Sequence, residues 1–161
     1  MLQRGFWLYV WKVETPKGER LYVGRTGDSS SPNATAPYTR MGQHLGFAKN
    51  QNALRKHLMD AGVFPEECKS FHLISHGPIY PEITKDEDSD RHDLMVAHKP
   101  LRDLVAAMEK ALADELRLAG YHVMNTVNCR QSYDGTVWLA VREAFAEYFP
   151  MMKKACFKPS P

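Results

Sequence analysis

The sequence has few cysteines, and they are not arranged for a disulfide framework or a metal site. Its 161 residues include three cysteines, Cys68, Cys129 and Cys156, an odd number at wide spacing. Small disulfide-stabilised domains carry many cysteines, and structural zinc sites carry closely paired ones. The seven histidines are scattered, without the spacing of metal ligands. Neither a disulfide-rich class nor a zinc-finger class is indicated.

A long apolar run is also missing. No stretch approaches the ~20 apolar residues that are needed to cross a bilayer. The first residues, Met1–Phe6, lead directly into a strand pattern and lack the cleavage region of a signal peptide. We therefore expect a cytoplasmic protein that forms one domain over residues 1–161, which is long enough to bury a core.

The chain has almost no excess of charge, with a formal net charge of +2. This value neither supports nor excludes a nucleic-acid partner, because the position of the charges matters more than their sum. Many carboxylates lie between Glu82 and Asp93, in a polar stretch at about 81–97 that lacks hydrophobic periodicity. We predict a solvated insertion there, and an acidic cluster that binds a cation is the alternative. The rest of the chain is basic, so one face can be positive.

Hydrophobic periodicity predicts an α/β (α+β) domain in which a small, mainly antiparallel three-stranded sheet is flanked by helices. The predicted elements are strands at 7–11, 20–24 and 70–75, helices at about 38–50, 52–61 and 100–119, and a C-terminal helix at about 134–149. The first two strands form a hairpin. The polar connection at 26–38 is long for a compact domain, which favours either an active-site rim or a surface insertion.

Two segments carry groups that suit phosphodiester chemistry. Tyr22-Val23-Gly24 ends a strand at a glycine turn, and Tyr9 lies on the other strand of the hairpin. Arg40 and His44 are four residues apart on a predicted helix, so they point the same way. A guanidinium suits a phosphate, and an imidazole titrates near neutral pH and can move a proton or orient a tyrosine. The ordinary alternatives are a surface ion pair for Arg40, a backbone-bonded histidine and two core tyrosines.

In their order along the chain, these residues resemble the GIY-YIG nuclease superfamily. The resemblance covers roughly residues 7–126, and it extends to a helical glutamate, Glu109, and to Asn125 after the Gly120 turn. The half-motif Tyr22-Val23-Gly24 is specific. The first half-motif departs from the family, because Trp7 stands where the family name has glycine. The connection at 26–38 is also longer than is usual in the family.

The resemblance implies both a fold and an activity. The implied fold is the α+β domain predicted above, and the implied activity is endonucleolytic cleavage of DNA, with RNA not excluded. The ion would be Mg²⁺ or Mn²⁺, held by Glu109. The implied site residues are Tyr9, Tyr22, Arg40, His44, Glu109 and Asn125. A tyrosine is the general base in this scheme, although a phenol with a pKa near ~10 needs strong neighbouring positive charge for that role. Asn125 would tie the cleft together by hydrogen bonds.

Two alternatives stay open. Glu115 competes with Glu109 as metal ligand, because it projects closer to the centre of the apolar stripe of its helix. The whole domain is alternatively a catalytically inactive module of the same fold that binds nucleic acid or a partner protein. We expect three further basic residues to be exposed charges rather than phosphate contacts; these are Lys12, Arg25 and Lys49.

Overall fold

Three antiparallel strands form the centre of the protein in a computed structural model that describes residues 1–28, 31–85 and 90–154. The strands are β1, Gly5–Thr15, β2, Gly18–Arg25, and β3, Ser70–Pro81. β1 is central, because the spatial order is β2-β1-β3 and both neighbours pair with it in the antiparallel sense. Aromatic and branched residues dominate β1, as suits a strand that is covered on both faces.

Helices cover both faces of this sheet. They are α1, Pro37–Leu45, α2, Ala53–Asp60, α3, Arg91–Leu118, α4, Gly135–Ala146, and α5, Met151–Lys154, with a 3-10 turn at Pro65–Glu67. The predicted fold class, a three-stranded antiparallel sheet flanked by helices, is confirmed. None of the helices in the described ranges is both long and apolar enough to cross a membrane.

The alternation of side chains along the strands divides the core into two clusters. One lies between the sheet and α3 and α4, and contains Leu8, Val10, Leu21, Val23, Val105, Leu112 and Trp138. The other lies between the sheet and α1 and α2, and contains Tyr9, Trp11, Val13, Leu54 and Leu58. Odd- and even-numbered residues of β1 therefore face different helices, and the two faces can present different chemistry.

The segment after α3 covers the outer edge of β2. Gly120, at φ +94°, lies just beyond the end of the helix, in a region of conformational space that favours glycine. Beyond it, the N–H of Leu21 donates to the His122 carbonyl at 2.8 Å, and the N–H of Met124 donates to the Leu21 carbonyl at 2.8 Å. These bonds fix residues 121–125 beside β2.

The start of α3 differs from the prediction. The helix begins at Arg91, so the prediction of an unstructured insertion reaching residue 97 and a helix starting at Pro100 was wrong. The Asp90 carboxylate accepts from the N–H groups of His92 and Asp93, and the Asp93 carboxylate accepts from the N–H of Asp90. This capping box starts the helix ahead of its apolar stripe. Pro100 has no N–H to donate to the carbonyl of Val96, four residues earlier in the helix. The helix tolerates this loss because both residues are exposed to solvent. The prediction for acidic residues 86–89 lies outside the described residues.

Candidate functional site

A hydrogen-bonded pair, Tyr9 and His44, lies where β1 meets α1. The pairing of β1 with β2 places Tyr9 opposite Gly24. A Cβ on Gly24 would lie 2.5 Å from the Tyr9 ring, so the glycine lets that ring cross the neighbouring strand. The Tyr9 hydroxyl then lies 2.9 Å from His44 Nε2. Because Gly24 has no side chain, the Tyr9 ring can lie over β2 and bring its hydroxyl to His44 on α1.

Tyr22 approaches the same histidine from β2. The ring centroids of Tyr22 and His44 are 5.2 Å apart in an edge-to-face arrangement, and those of Tyr22 and His57 are 5.4 Å apart. The two tyrosines therefore meet around His44, as the motif suggests. His57, on α2, was not recognised in the sequence, because a lone histidine in a predicted helix has no distinguishing spacing.

Burial controls the protonation of this cluster. Burial, with the nearby charge of Arg40, lowers the pKa of His44 to about 4. Burial raises the pKa of Tyr9 and of Tyr22 above the ordinary value of 10.0, although Arg40 opposes the rise in both. At neutral pH His44 is therefore a neutral imidazole and both phenols keep their protons. Either tyrosine would need additional positive charge to act as a base.

Glu109 and Arg25 form an ion pair on the other side of β2. The Arg25 guanidinium donates to the Glu109 carboxylate, which is held by the middle of α3. The residue Glu109 is only 7% exposed. Burial raises its pKa to about 7, although Arg25 acts in the opposite direction. The expectation that Arg25 is an exposed charge was wrong. Its place in β2, two residues after Val23, puts it on the face of the sheet that α3 covers, and this parity was readable from the sequence.

Arg40 lies at a cleft and pairs with an acidic residue, Asp28, that belongs to no motif in the sequence. The Arg40 guanidinium donates to the Asp28 carboxylate and lies 3.4 Å from the Gln43 side-chain oxygen. Asp28 follows β2 in a turn and has no spacing that marks it in the sequence. The cleft has a volume of about 210 Å³ and is lined by Gly27, Asp28, Asn33, Thr35, Arg40, Gln43 and Gln51. Part of the long 26–38 connection therefore forms a wall of the cleft.

The start of that connection is fixed from two sides. The hydroxyl of Thr26 donates to the Gly5 carbonyl at 2.6 Å and accepts from the N–H of Trp7 at 2.8 Å. On α3, buried His98 lies with its Nε2 atom 3.0 Å from the Gly27 carbonyl. His98 was also missed, because the helix that carries it was predicted to begin two residues later. These bonds hold the turn that presents Asp28 to Arg40.

The four charged groups act on one another electrostatically. Arg25, Asp28 and Arg40 all shift the pKa of Glu109, and the same three shift the pKa of Tyr22, as does Glu109 itself. Within the described residues, the buried nitrogen atoms that have no hydrogen-bond partner include Arg25 Nε, Arg40 Nε and His44 Nδ1. Buried polar nitrogens normally have partners. Two of these nitrogens belong to the guanidinium groups of Arg25 and Arg40, so each arginine keeps a donor that its paired carboxylate does not use.

Asn125 joins the segment after α3 to β2. Its side-chain oxygen accepts from the N–H of Val23 at 2.9 Å, and its side-chain nitrogen donates to the Val23 carbonyl at 2.8 Å. At Val23, the side chain of Asn125 thus makes the two hydrogen bonds that a neighbouring strand would make, next to the backbone bonds between Leu21 and residues 122 and 124. Tyr22 lies between these two fixed residues, so the side chain of Asn125 supports the strand that carries it.

Glu115, the alternative metal ligand, lies in different surroundings. It accepts from Arg142 of α4 at 2.7 Å, at the contact between α3 and α4. This pairing explains a carboxylate near the apolar stripe of α3. The structure therefore places Glu109, and not Glu115, with the groups that line the candidate site.

A metal ion would have to be held by few protein ligands here. In the described part of the chain, no group of three or more His, Cys, Asp or Glu side chains is placed to hold a metal. Mg²⁺ commonly binds one or two carboxylates and completes its shell with water and phosphate oxygens. Glu109 would supply one carboxylate, and Asp28, which is near enough to raise the pKa of Glu109, would supply a second. This donor set requires that the Arg25 guanidinium first leaves its ion pair with Glu109.

Comparisons with known proteins add no relative. No protein family, no curated protein and no solved structure matches the chain.

Proposed function

We propose that the protein is a divalent-metal-dependent endonuclease that hydrolyses phosphodiester bonds in DNA through a GIY-YIG-type active site, in the cytoplasm. The observation that carries this proposal is the meeting of Tyr9 and Tyr22 around His44, with Arg40 near enough to lower the pKa of His44 and Arg25 near enough to act on the pKa of Tyr22. Phosphodiester hydrolysis needs fixed positive groups for the developing charge and a group that takes a proton from water. Both requirements are represented in this cluster.

The roles of the residues follow from their surroundings. Arg40 borders the cleft, and its planar fork would bind two oxygens of the scissile phosphate once Asp28 is displaced. Arg25 would release Glu109 and meet the same phosphate from the other side. A bound Mg²⁺ or Mn²⁺, held by Glu109, would supply charge stabilisation and lower the pKa of its bound water.

Tyr9 and His44 would take up the proton that the attacking water loses. The neutral imidazole of His44 is 2.9 Å from the Tyr9 hydroxyl and can accept its proton as the phenol takes one from the attacking water. Burial and the charge of Arg40 lower the pKa of His44 to about 4, so the imidazole is neutral at neutral pH, but this low pKa makes it a weak base that would hold the proton only transiently. Tyr22 packs edge-on against His44 and holds the ring in this orientation.

A second function has a specific observation in its favour. Each of the two arginines is already paired with a carboxylate, Arg25 with Glu109 and Arg40 with Asp28. A domain whose charges satisfy one another can also be an inactive module that binds nucleic acid or a partner protein without cleaving.

Titration of the protein against DNA, with and without Mg²⁺ or Mn²⁺, separates the two functions. An endonuclease produces shorter strands only with the ion, whereas an inactive module gives salt-dependent binding and intact DNA in both conditions. Arg40→Ala is expected to slow cleavage about 10²–10³-fold, the loss typical of one transition-state donor. Arg20→Ala is the matched control, because Arg20 lies near the end of β2 that is far from the candidate site, and this variant should cleave as the wild type does. Equal rates for Arg40→Ala and wild type would remove the assignment.

A further inference from the structure

Phe47 is an aromatic side chain that is exposed to solvent but held in place. It is 81% exposed, an unusual position for a residue whose burial is worth roughly 1.5–3 kcal/mol. The guanidinium carbon of Arg55 lies 4.3 Å from the centroid of the Phe47 ring, within the ~6 Å of a cation–π contact. One face of the ring is therefore covered by a cation, and the other side is open.

Arg55 itself is fixed, which makes the ring a rigid platform. Its Nε atom donates to the Leu45 carbonyl at 3.0 Å, and its Nη2 atom donates to Glu66 at 2.6 Å. The side chain of Arg55 is only 14% exposed. Phe47 thus loses little freedom on meeting a ligand, a property that raises affinity by lowering the entropic cost of binding.

The ring lies at the rim of the candidate site. Phe47 belongs to the short connection between α1, which carries Arg40 and His44, and α2. In the same connection, the N–H of Gln51 donates to the Ala48 carbonyl at 3.0 Å and closes a turn. Gln51 also lines the 210 Å³ cleft together with Arg40. The connection therefore leads from the cleft outward to Phe47.

Unpaired positive charges lie next to this connection. Lys49 and Lys56 are exposed and line a shallow depression of about 310 Å³ with Asn52, Met59 and Asp60. Neither lysine forms an ion pair with any residue that the structure describes. An aromatic face beside free cations is the arrangement with which proteins bind single-stranded nucleic acid, since bases stack on the ring and phosphates meet the cations.

We propose that Phe47 stacks against an unpaired base beside the scissile phosphate, so the substrate is a strand that is single-stranded or unpaired at the cleavage point. This proposal rests on the nuclease function above. A base within a duplex is stacked on both sides and must first be extruded, which costs a few kcal/mol. A single strand, a flap or a mismatched site offers the base without that cost, so such substrates are bound more tightly than a continuous duplex.

The test measures binding without divalent ions, so that cleavage is not needed. Fluorescence anisotropy compares a labelled single-stranded oligonucleotide, a strand of the same length whose central half is abasic, and a blunt duplex. The wild type is expected to bind the complete strand at least about fivefold more tightly than the abasic strand, the lower end of the effect of one stacked base. Phe47→Leu should abolish that difference and leave affinity for the abasic strand unchanged. Phe47→Trp should preserve it.

Tyr148→Leu is the matched control. Tyr148 is 59% exposed and lies with Lys12 and Ile74 on the opposite face of the sheet, so its loss should change none of the affinities. Both replaced rings are exposed, so unfolding midpoints should equal that of the wild type. If Phe47→Leu discriminates against the abasic strand as the wild type does, or loses affinity for both strands equally, the stacking proposal is wrong.

The proposed function and the stacking proposal fail differently. If Arg40→Ala abolishes cleavage while Phe47→Leu keeps every affinity, the nuclease assignment stands and Phe47 has no part in binding. If the wild type binds none of the three nucleic acids and also leaves all of them intact with Mg²⁺ or Mn²⁺, both proposals are overturned.

Discussion

Replacing Asn125 by alanine is expected to destabilise the protein strongly, because this side chain is the partner of both backbone polar groups of Val23. The two bonds measure 2.9 and 2.8 Å. Asn125 is 6% exposed and Val23 is fully buried. After truncation, the N–H and the carbonyl of Val23 would face a gap at the edge of β2.

The expected loss can be worked out from these two groups. A buried donor or acceptor that is left unpaired costs about 1–3 kcal/mol, so two of them cost roughly 2–6 kcal/mol. Typical domains have a free energy of unfolding of only about 5–15 kcal/mol. A substitution that changes one amide group should therefore remove a large part of the total stability.

Urea unfolding, followed by tryptophan fluorescence and by circular dichroism, measures this loss. Thr126→Ala is the control, because Thr126 is the exposed neighbour of Asn125, and we expect it to change the free energy of unfolding by less than about 0.5 kcal/mol. A loss below about 1 kcal/mol for Asn125→Ala would refute the reasoning, since it would mean that water or the backbone replaces both bonds.

Three further predictions follow from the same region. Gly24→Ala would bring a Cβ to 2.5 Å from the Tyr9 ring, and should cost roughly 1–3 kcal/mol by urea unfolding. Because the pKa of His44 falls to about 4 in the folded protein, the unfolded chain binds the proton first. The free energy of unfolding therefore falls as pH drops from about 6.5 towards 4, and His44 accounts for roughly 3 kcal/mol of that fall. The variant His44→Gln should lack this contribution. Arg25→Ala removes the ion-pair partner of the buried Glu109 carboxylate and should cost roughly 3–5 kcal/mol at pH 8, and less at pH 5, where Glu109 is protonated in the wild type as well.

Each of these has a control and a contradicting result. Gly42→Ala adds a Cβ where no atom lies within 4 Å, so it should be neutral or slightly stabilising; equal effects at both glycines would contradict the first prediction. His72→Gln, at an exposed histidine, should leave the pH dependence unchanged; an unaltered acid slope in His44→Gln would contradict the second. For Arg25→Ala, a destabilisation that is independent of pH would show that the charge of Glu109 is not its cause.

Local sequence patterns predicted the three-stranded sheet, and the resemblance in the order of the motif residues led to the expectation that the two tyrosines share one site. The hairpin register follows from strand alternation and the turn, and it places Tyr9 opposite Gly24. Residues whose partners are distant in sequence could not be found in this way. One example is Asp28, which pairs with Arg40 and follows Gly27, the residue that His98 of the distant helix α3 contacts.

The start of α3 was missed because the proline was read as a helix start, whereas the capping box at Asp90 begins the helix earlier. Solvent exposure allows Pro100 to remain inside it. The exposed position of Phe47 has no local signal either, because nothing near it in the sequence marks its cation–π contact with Arg55 of α2. Sequence alone predicts that such a phenylalanine is buried.

The rate of metal-dependent DNA cleavage by Glu109→Gln, compared with Glu115→Gln, tests the central claim most directly. Both glutamates lie on α3, and each pairs with an arginine, Arg25 in one case and Arg142 in the other. At pH 8 with Mg²⁺ or Mn²⁺, Glu109→Gln is expected to cleave at least about 10²-fold more slowly than the wild type, while Glu115→Gln cleaves at nearly the wild-type rate. Equal rates for all three proteins, or a loss in Glu115→Gln alone, would contradict the claim that the groups around Glu109 form the active site.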